Sequence, residues 1–335
     1  MKRVLTPARL TIAGLALVLL VAVVLWLAPS NSYLLLPDVA RPVAPLVTVP
    51  KNREKGDDKG EIFFLAVLVR KANLLERLFP SIRSGATLVP ASALRPPGVS
   101  EGAQRKIDER DMSQSQSLAA AVALRVLGYK VIAQQNGAEI AEIVPGTPAV
   151  GKLKPTDVIV SVDGHRVRTP ADLRRLIRAH RAGELVHLGV RDSRGLRTVD
   201  LHTKEEGGHP VIGVIIDQSA NIKLPFPVKI EAGSVVGPSA GLAFALEILE
   251  KLGRNVDRGY RVAATGQLEL NGAVLPIGGV EQKTIEAKNS HVDILLIPAG
   301  DNASEARKYA GSMRVIPVHS FQQALHKLAT VPPKS

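Results

Sequence analysis

The 335-residue chain contains no cysteine, which excludes disulfides, thiolate-bound metal and a cysteine nucleophile together. Aromatic residues make up only 3%, and no zinc-finger, RRM or KH signature accompanies the formal charge of +12. That basic balance fits an anionic membrane surface better than nucleic acid. A G-x-x-x-x-G-K-[ST] phosphate loop is missing as well, so no nucleotide site is read. None of the eight histidines forms a recognisable motif with an acid, which weakens a Ser-His-Asp reading. No cofactor and no metal site are expected. What is present is 45% hydrophobic content, enough for about two or three domains at roughly 100 to 200 residues each.

Long hydrophobic runs are also scarce, with one exception. Residues 10–28, LTIAGLALVLLVAVVLWLA, carry no charge over 19 positions, and as a helix they would cover ~28 Å against a hydrocarbon core of ~30 Å. Lys2, Arg3 and Arg9 precede the run, so residues 1–9 are placed in the cytoplasm and everything after the span outside the cell membrane. A cleaved signal peptide is the competing reading, because Ser30 and Ser32 are small residues at an acceptable spacing.

Pro37, Pro42, Pro45 and Pro50 and the charged cluster 51–59 suggest a linker over 29–60, with folded structure resuming at residue 61. The run 62–69, IFFLAVLV, reads as one buried strand, and 74–79 as a helical turn. Four prolines between residues 80 and 100 exclude a single regular element there. Residues 113–127 read as a helix stopped by Gly128.

From residue 129 to about 203 the pattern changes to short strands, at 138–144, 158–162, 185–190 and 197–201, with a tight turn at Asp163-Gly164. Thr169 caps a helix that has Pro170 at its first position, Asp172 near its N-terminus and Leu173, Leu176 and Ile177 facing inward. Arg174, Arg175, Arg178 and Arg181 are a solvated face, or alternatively a surface attractive to acidic peptides or anionic lipid. The segments 143–149 (IVPGTPA), 153–159 (LKPTDVI) and Val162-Asp163-Gly164 resemble a PDZ domain of the permuted bacterial type. Thr156 stands where that family usually has glycine, and no clear carboxylate-binding loop precedes Ala138, so a purely structural role stays open beside peptide capture.

The chemistry sits further on. Gly237-Pro238-Ser239-Ala240-Gly241 opens a helix expected over 238–252, which would place the Ser239 hydroxyl among free N–H groups at the positive end of the helix dipole. Serine needs a base, and Lys283, 44 residues later, can serve if burial makes it neutral. On a helix starting near Val280, Lys283 shares a face with Val280 and Ala287, whereas Glu281 and Glu286 are expected to point elsewhere.

Val228-Lys229-Ile230, the GPSAG segment, Thr265-Gly266, the run 271–279 (NGAVLPIGG), Lys283 and the strand 294–298 resemble the proteolytic domain of Lon proteases. The resemblance implies that Ser239 is the nucleophile and Lys283 its general base, with Thr265 helping to hold the lysine. The loop between Glu231 and Gly237 is shorter than in Lon, and Val236 replaces a usual acid. Residues 112–127 resemble the helix before this segment in Lon, so 61–128 is assigned to the protease domain, 129–205 to an inserted PDZ-like module, and 206–330 to the Lon-type part with the dyad.

Together these features resemble the membrane-anchored PDZ-Lon peptidases of Gram-positive bacteria, the YlbL-like family. The expected fold class is α+β: an N-terminal transmembrane helix and a Lon-type α/β proteolytic domain carrying a β-rich PDZ-like insertion. The expected function is an ATP-independent serine endopeptidase cleaving unfolded or membrane-proximal polypeptides, with a ring-shaped homo-oligomer implied by resemblance alone. The alternative is an inactive PDZ/Lon-like scaffold that binds protein partners at the membrane.

Overall fold

The computed structural model describes residues 7–55, 60–83, 85–94, 101–233 and 235–334. Lys2 and Arg3, the end of the 51–59 charge cluster, and Pro96 and Pro97 lie outside them. Helix α1 (Pro7–Leu27) is followed directly by folded chain. Among the described residues no helix is long and apolar enough to cross a membrane. In α1 the described side chains are those of 11–27, ~26 Å of helix against a ~30 Å core, so the span expected at 10–28 is not shown.

The linker expected over 29–60 is corrected. Strand β1 (Pro29–Pro37) is followed by β2 (Arg41–Pro42) and β3 (Val47–Thr48), and Leu34, Val43, Val47 and Val49 are buried. Pro37 and Pro42 sit at strand ends, where the missing N–H does least harm, Pro45 lies in a 3-10 turn and Pro50 precedes another, and apolar residues between them join the core.

The run 62–69 is two strands, not one. β4 (Glu61–Phe64) ends at Leu65-Ala66, and β5 (Val67–Asn73) leaves for another sheet, pairing antiparallel with β1. Helix α2 (Leu74–Leu78) opens on a capping box between Asn73 and Glu76. β6 (Thr87–Pro90) then covers the other edge of β1, giving the order β5-β1-β6. After the short α3 (Ala91–Leu94), helix α4 runs over Glu101–Val126, starting a dozen residues before the expected helix. Its alanine-rich second half, with Ala119, Ala120, Ala121 and Ala123, is buried.

The module that follows consists of β7 (Ile132–Ile143), β8 (Val158–Val162), β9 (His165–Arg166), helix α5 (Pro170–Arg178), β10 (Leu185–Asp192), β11 (Gly195–His202), the hairpin β12 (Lys204–Glu206) and β13 (His209–Val211), and β14 (Val214–Lys223). Thr169 and Asp172 form the expected cap on α5. The strand order is β11-β10-β8-β7-β14. Beyond the expected 129–205 module its sheet gains one more strand: β14 pairs with β7 from Val214↔Ile143 to Lys223↔Ile132, so the sheet is complete only at residue 223.

The remaining elements are β15 (Lys229–Ile230), α6 (Gly241–Lys251), β16 (Arg261–Ala264), β17 (Gln267–Leu268), β18 (Val274–Leu275), α7 (Val280–Asn289), β19 (Ile294–Pro298), α8 (Asp301–Tyr309), β20 (Arg314–Val318) and α9 (Phe321–Ala329). The central sheet has the order β2-β4-β16-β19-β20, parallel from β4 to β20 with β2 antiparallel at the edge. Side chains alternate across it as the pleat demands. Phe64, Val262, Leu296 and Ile316 pack in one core with α4, α6 and α9, whereas Phe63, Ala263 and Leu295 pack in another with α7 and α8. Since β3 pairs with β15 and β4 with β16, the chain on both sides of the β7–β14 module builds one body, and the module is an insertion in it.

Candidate active site

Ser239 does not sit in the first turn of an α-helix. The expected helix over 238–252 begins instead with a 3-10 turn, Pro238–Ala240, entered through Gly237 at φ +93°, a backbone region that side chains rarely adopt. The Gly241 N–H donates to Pro238 O and the Leu242 N–H to Gly266 O at 3.1 Å. Two of the helix-start donors expected to be free for an oxyanion are therefore already engaged.

The turn is braced from three directions. Gly237 N–H donates to Asp108 O of α4 at 3.2 Å, and Ser115 Oγ of α4 donates to Pro238 O at 2.9 Å. The Ser239 carbonyl accepts from Gly266 N–H at 2.8 Å and from Thr265 Oγ1 at 3.3 Å. Thr265 is fully buried. Its hydroxyl was expected to hold the lysine; it holds the backbone of the serine instead, because β16 ends directly beneath the turn. Gly266 is required by space, since a Cβ there would lie 2.6 Å from Val274 Cγ1.

Lys283 enters from the opposite side, in the first turn of α7. Gly279 precedes the helix at φ +67°, and the Lys283 N–H closes the first helical bond on Gly279 O at 3.0 Å. The approach to this turn is clamped by Asn302 of α8, whose Oδ1 accepts from Ile277 N–H at 2.8 Å and whose Nδ2 donates to Ile277 O at 3.0 Å. Lys283 is 5% exposed, and its Nζ donates to Ser239 Oγ at 2.9 Å. Burial lowers its pKa from an ordinary 10.5 to about 8, against an upward pull from Glu286. Glu286, expected to point elsewhere, is fully buried with Oε1 on the Ala66 N–H at 3.4 Å, and burial raises its carboxyl to about 8.

Beside Pro238 opens a cavity of about 500 Å³ whose walls include Asp111 of α4, Ile143 and Val150 of the inserted module, Ile215 of β14 and Leu275 of β18. Among the described residues no cluster of His, Asp or Glu could hold a metal ion.

A lysine amine hydrogen-bonded to a serine on a glycine-entered turn is a distinctive pair. Residues 216–330 match the Lon protease (S16) C-terminal proteolytic domain. Residues 125–203 match a PDZ domain, so this chain combines a Lon-type domain with a PDZ domain in a mixed α+β fold. Lon protease 2 of Bacillus subtilis (strain 168) is 34% identical over 117 residues, 35% of this chain and 20% of that protein. Lon protease of Desulfosudis oleivorans is 26% identical over 182 residues, 47% of this chain and 22% of that protein. The matched region thus spans about a fifth of these relatives' length. Among solved structures, the PDZ domain of the SdrC-like protein from Listeria monocytogenes is 19% identical, with 24% of this chain and 87% of that one covered at a TM-score of 0.23.

The Lon-type domain contains Ser239, Thr265 and Lys283, which the sequence singled out. Around them stand Asp108, Ser115, Asn302 and Glu286, to which sequence reasoning gave no role. The first three act through backbone partners that only the fold brings near. Glu286 had a usable signal in its i+3 spacing from Lys283.

Proposed function

We propose that this chain is a serine endopeptidase in which Ser239 is the nucleophile and Lys283 the general base. The observation that carries the reading is the 2.9 Å contact between Nζ and Oγ at a lysine that burial has driven toward the neutral amine. In the amine form Nζ takes the hydroxyl proton as Oγ bonds to the substrate carbonyl carbon. The C–N bond then breaks, and Nζ returns that proton to the departing amine. Water attacks the acyl ester next; its proton passes to Nζ and then to Oγ, which restores the serine.

The substrate class is an extended or unfolded polypeptide, supported by the open cavity between the inserted module and Pro238. No phosphate-loop motif occurs in these 335 residues, so cleavage is proposed to proceed without ATP hydrolysis. The proposed site of action is outside the cytoplasmic membrane, with α1 as the anchor. Over its whole length α1 has 21 residues, ~32 Å of helix, and Leu15, Leu17, Leu19 and Leu27 are all more than half exposed, an arrangement that lipid would satisfy and water would not. Wild-type protein is expected to cleave a casein-like unfolded substrate without ATP, and Ser239→Ala to lose turnover while keeping its unfolding temperature. Equal cleavage by the variant would refute the assignment.

A further inference from the structure

The mechanism above uses one of two buried titratable groups on α7. Glu286 follows Lys283 by three positions, so the two side chains leave neighbouring points of one helical face. Its side chain is 0% exposed. Oε1 accepts the Ala66 N–H at a long 3.4 Å, and among the described residues Oε2 is buried with no hydrogen-bond partner. Ala66 lies in the two-residue link where the chain leaves β4 for β5. The neighbouring Thr284 hydroxyl is committed to Val280 O at 2.7 Å.

A carboxyl placed this way is poorly compensated as an anion, because burial disfavours its charged form unless a partner repays the lost hydration. The leading charged groups that act on it include Asp38, just after β1, and Arg41, the first residue of β2, which act with opposite sign and are paired to each other at 2.8 Å. Lys283 acts on it from the helix itself.

We propose that Glu286 is a positioning residue for the Ser239–Lys283 pair: its buried carboxyl shares a proton equilibrium with Lys283 and so decides when Nζ is an amine. The inference rests on Lys283 being the base. Two buried groups three positions apart on one helix that hold one proton between them have two forms, ammonium with carboxylate and amine with carboxylic acid. Low polarity favours the second, uncharged form, which is the one able to accept the serine proton. Burial pushes the amine down and the carboxyl up, so the two titrations approach each other from opposite sides and are coupled.

The test is the rate at which a fluorophosphonate probe acylates Ser239 in the full chain between pH 6 and 10, for wild type, Glu286→Gln and Glu286→Asp. Glutamine keeps the shape and an acceptor for Ala66 but cannot become an anion. The amine then titrates beside a neutral neighbour, and the acid limb is expected to move to lower pH by about half a unit or more and to steepen to a one-proton curve. Glu286→Asp keeps a carboxyl, and its limb should lie above that of the glutamine variant. Wild type alone should show a limb shallower than one proton, a reading that needs no variant to fold. An unmoved midpoint in Glu286→Gln, with only amplitude or unfolding temperature changed, would show a structural residue and overturn the proposal, as would a one-proton limb in wild type. A wild type that is not labelled at any pH would overturn the dyad reading as well, which separates the two failures.

Discussion

The hydroxyl of Thr265 reaches the carbonyl oxygen of Ser239, at 3.3 Å; the amine of Lys283 reaches the same residue through its side chain. The threonine and the lysine therefore hold two ends of one residue. Thr265→Val keeps the volume and removes the bond, a loss of about 1 kcal/mol, or roughly fivefold in acylation rate if it is felt in full at the transition state. The pH midpoint of acylation should stay in place, because Thr265 holds the backbone and not the amine. A Thr265→Val profile displaced along the pH axis would contradict this geometry.

Thr156 adopts φ +79°, in the left-handed region that costs a side-chain-bearing residue ~1 kcal/mol or more. Its N–H is fixed to Ile140 O at 2.7 Å, so the inserted sheet holds it there. Thr156→Gly should raise the unfolding free energy by about 1 kcal/mol in a chemical denaturation series. A loss of stability would mean that the threonine side chain contributes more than its backbone costs.

Glu76 is buried and receives Arg83 Nε at 2.9 Å, Arg70 Nη1 at 3.0 Å and a second Arg70 nitrogen. The Arg70 hydrogen bond leads the causes that lower its pKa from 4.5 to about 2. A carboxyl lowered on folding contributes stability that is complete above its unfolded value and is lost as pH falls through the folded one. Stability should therefore decline between about pH 4.5 and 2. Glu76→Gln should remove about 2 kcal/mol at neutral pH and flatten that part of the curve, as followed by thermal unfolding across pH. An equally steep decline in the variant would assign the acid sensitivity to other groups.

The proposed anchor makes its own prediction. The full chain expressed in a bacterium should remain with the membrane fraction through alkaline carbonate washing, and a chain starting at Ala28 should be recovered in the soluble fraction. Release of the full chain by carbonate would argue that α1 does not span.

Much of the site was legible because glycine and proline carry backbone information. Pro238 was read as a helix opening and a helix was expected from near Val280, and those two local expectations placed Ser239 and Lys283 on elements that the parallel sheet brings together. The bracing groups were not legible. Asp108 and Ser115 contribute through bonds to backbone positions 237 and 238, and nothing in residue type announces such a partner more than 100 positions away. The run 62–69 was misjudged because continuous hydrophobicity fixes neither the strand count nor the burial: β4 is buried, whereas Leu68 and Val69 of β5 are exposed on a different sheet. Residues 29–50 were misread for the opposite reason, since prolines at strand ends look like linker punctuation until partners are found for Leu34 and Val47. The return of β14 to the module's sheet was not legible because 70 residues separate it from its partner β7, Val214 against Ile143 at its near end.

If buried Lys283 activates Ser239 for covalent catalysis, a covalent probe should read that activation out on the serine itself. After treatment with a fluorophosphonate near pH 8, peptide mass mapping of the wild type should place one adduct on Ser239, and Lys283→Met, which keeps the side-chain bulk, should lose it while remaining folded. Labelling of Ser239 in Lys283→Met at the wild-type rate would contradict the account.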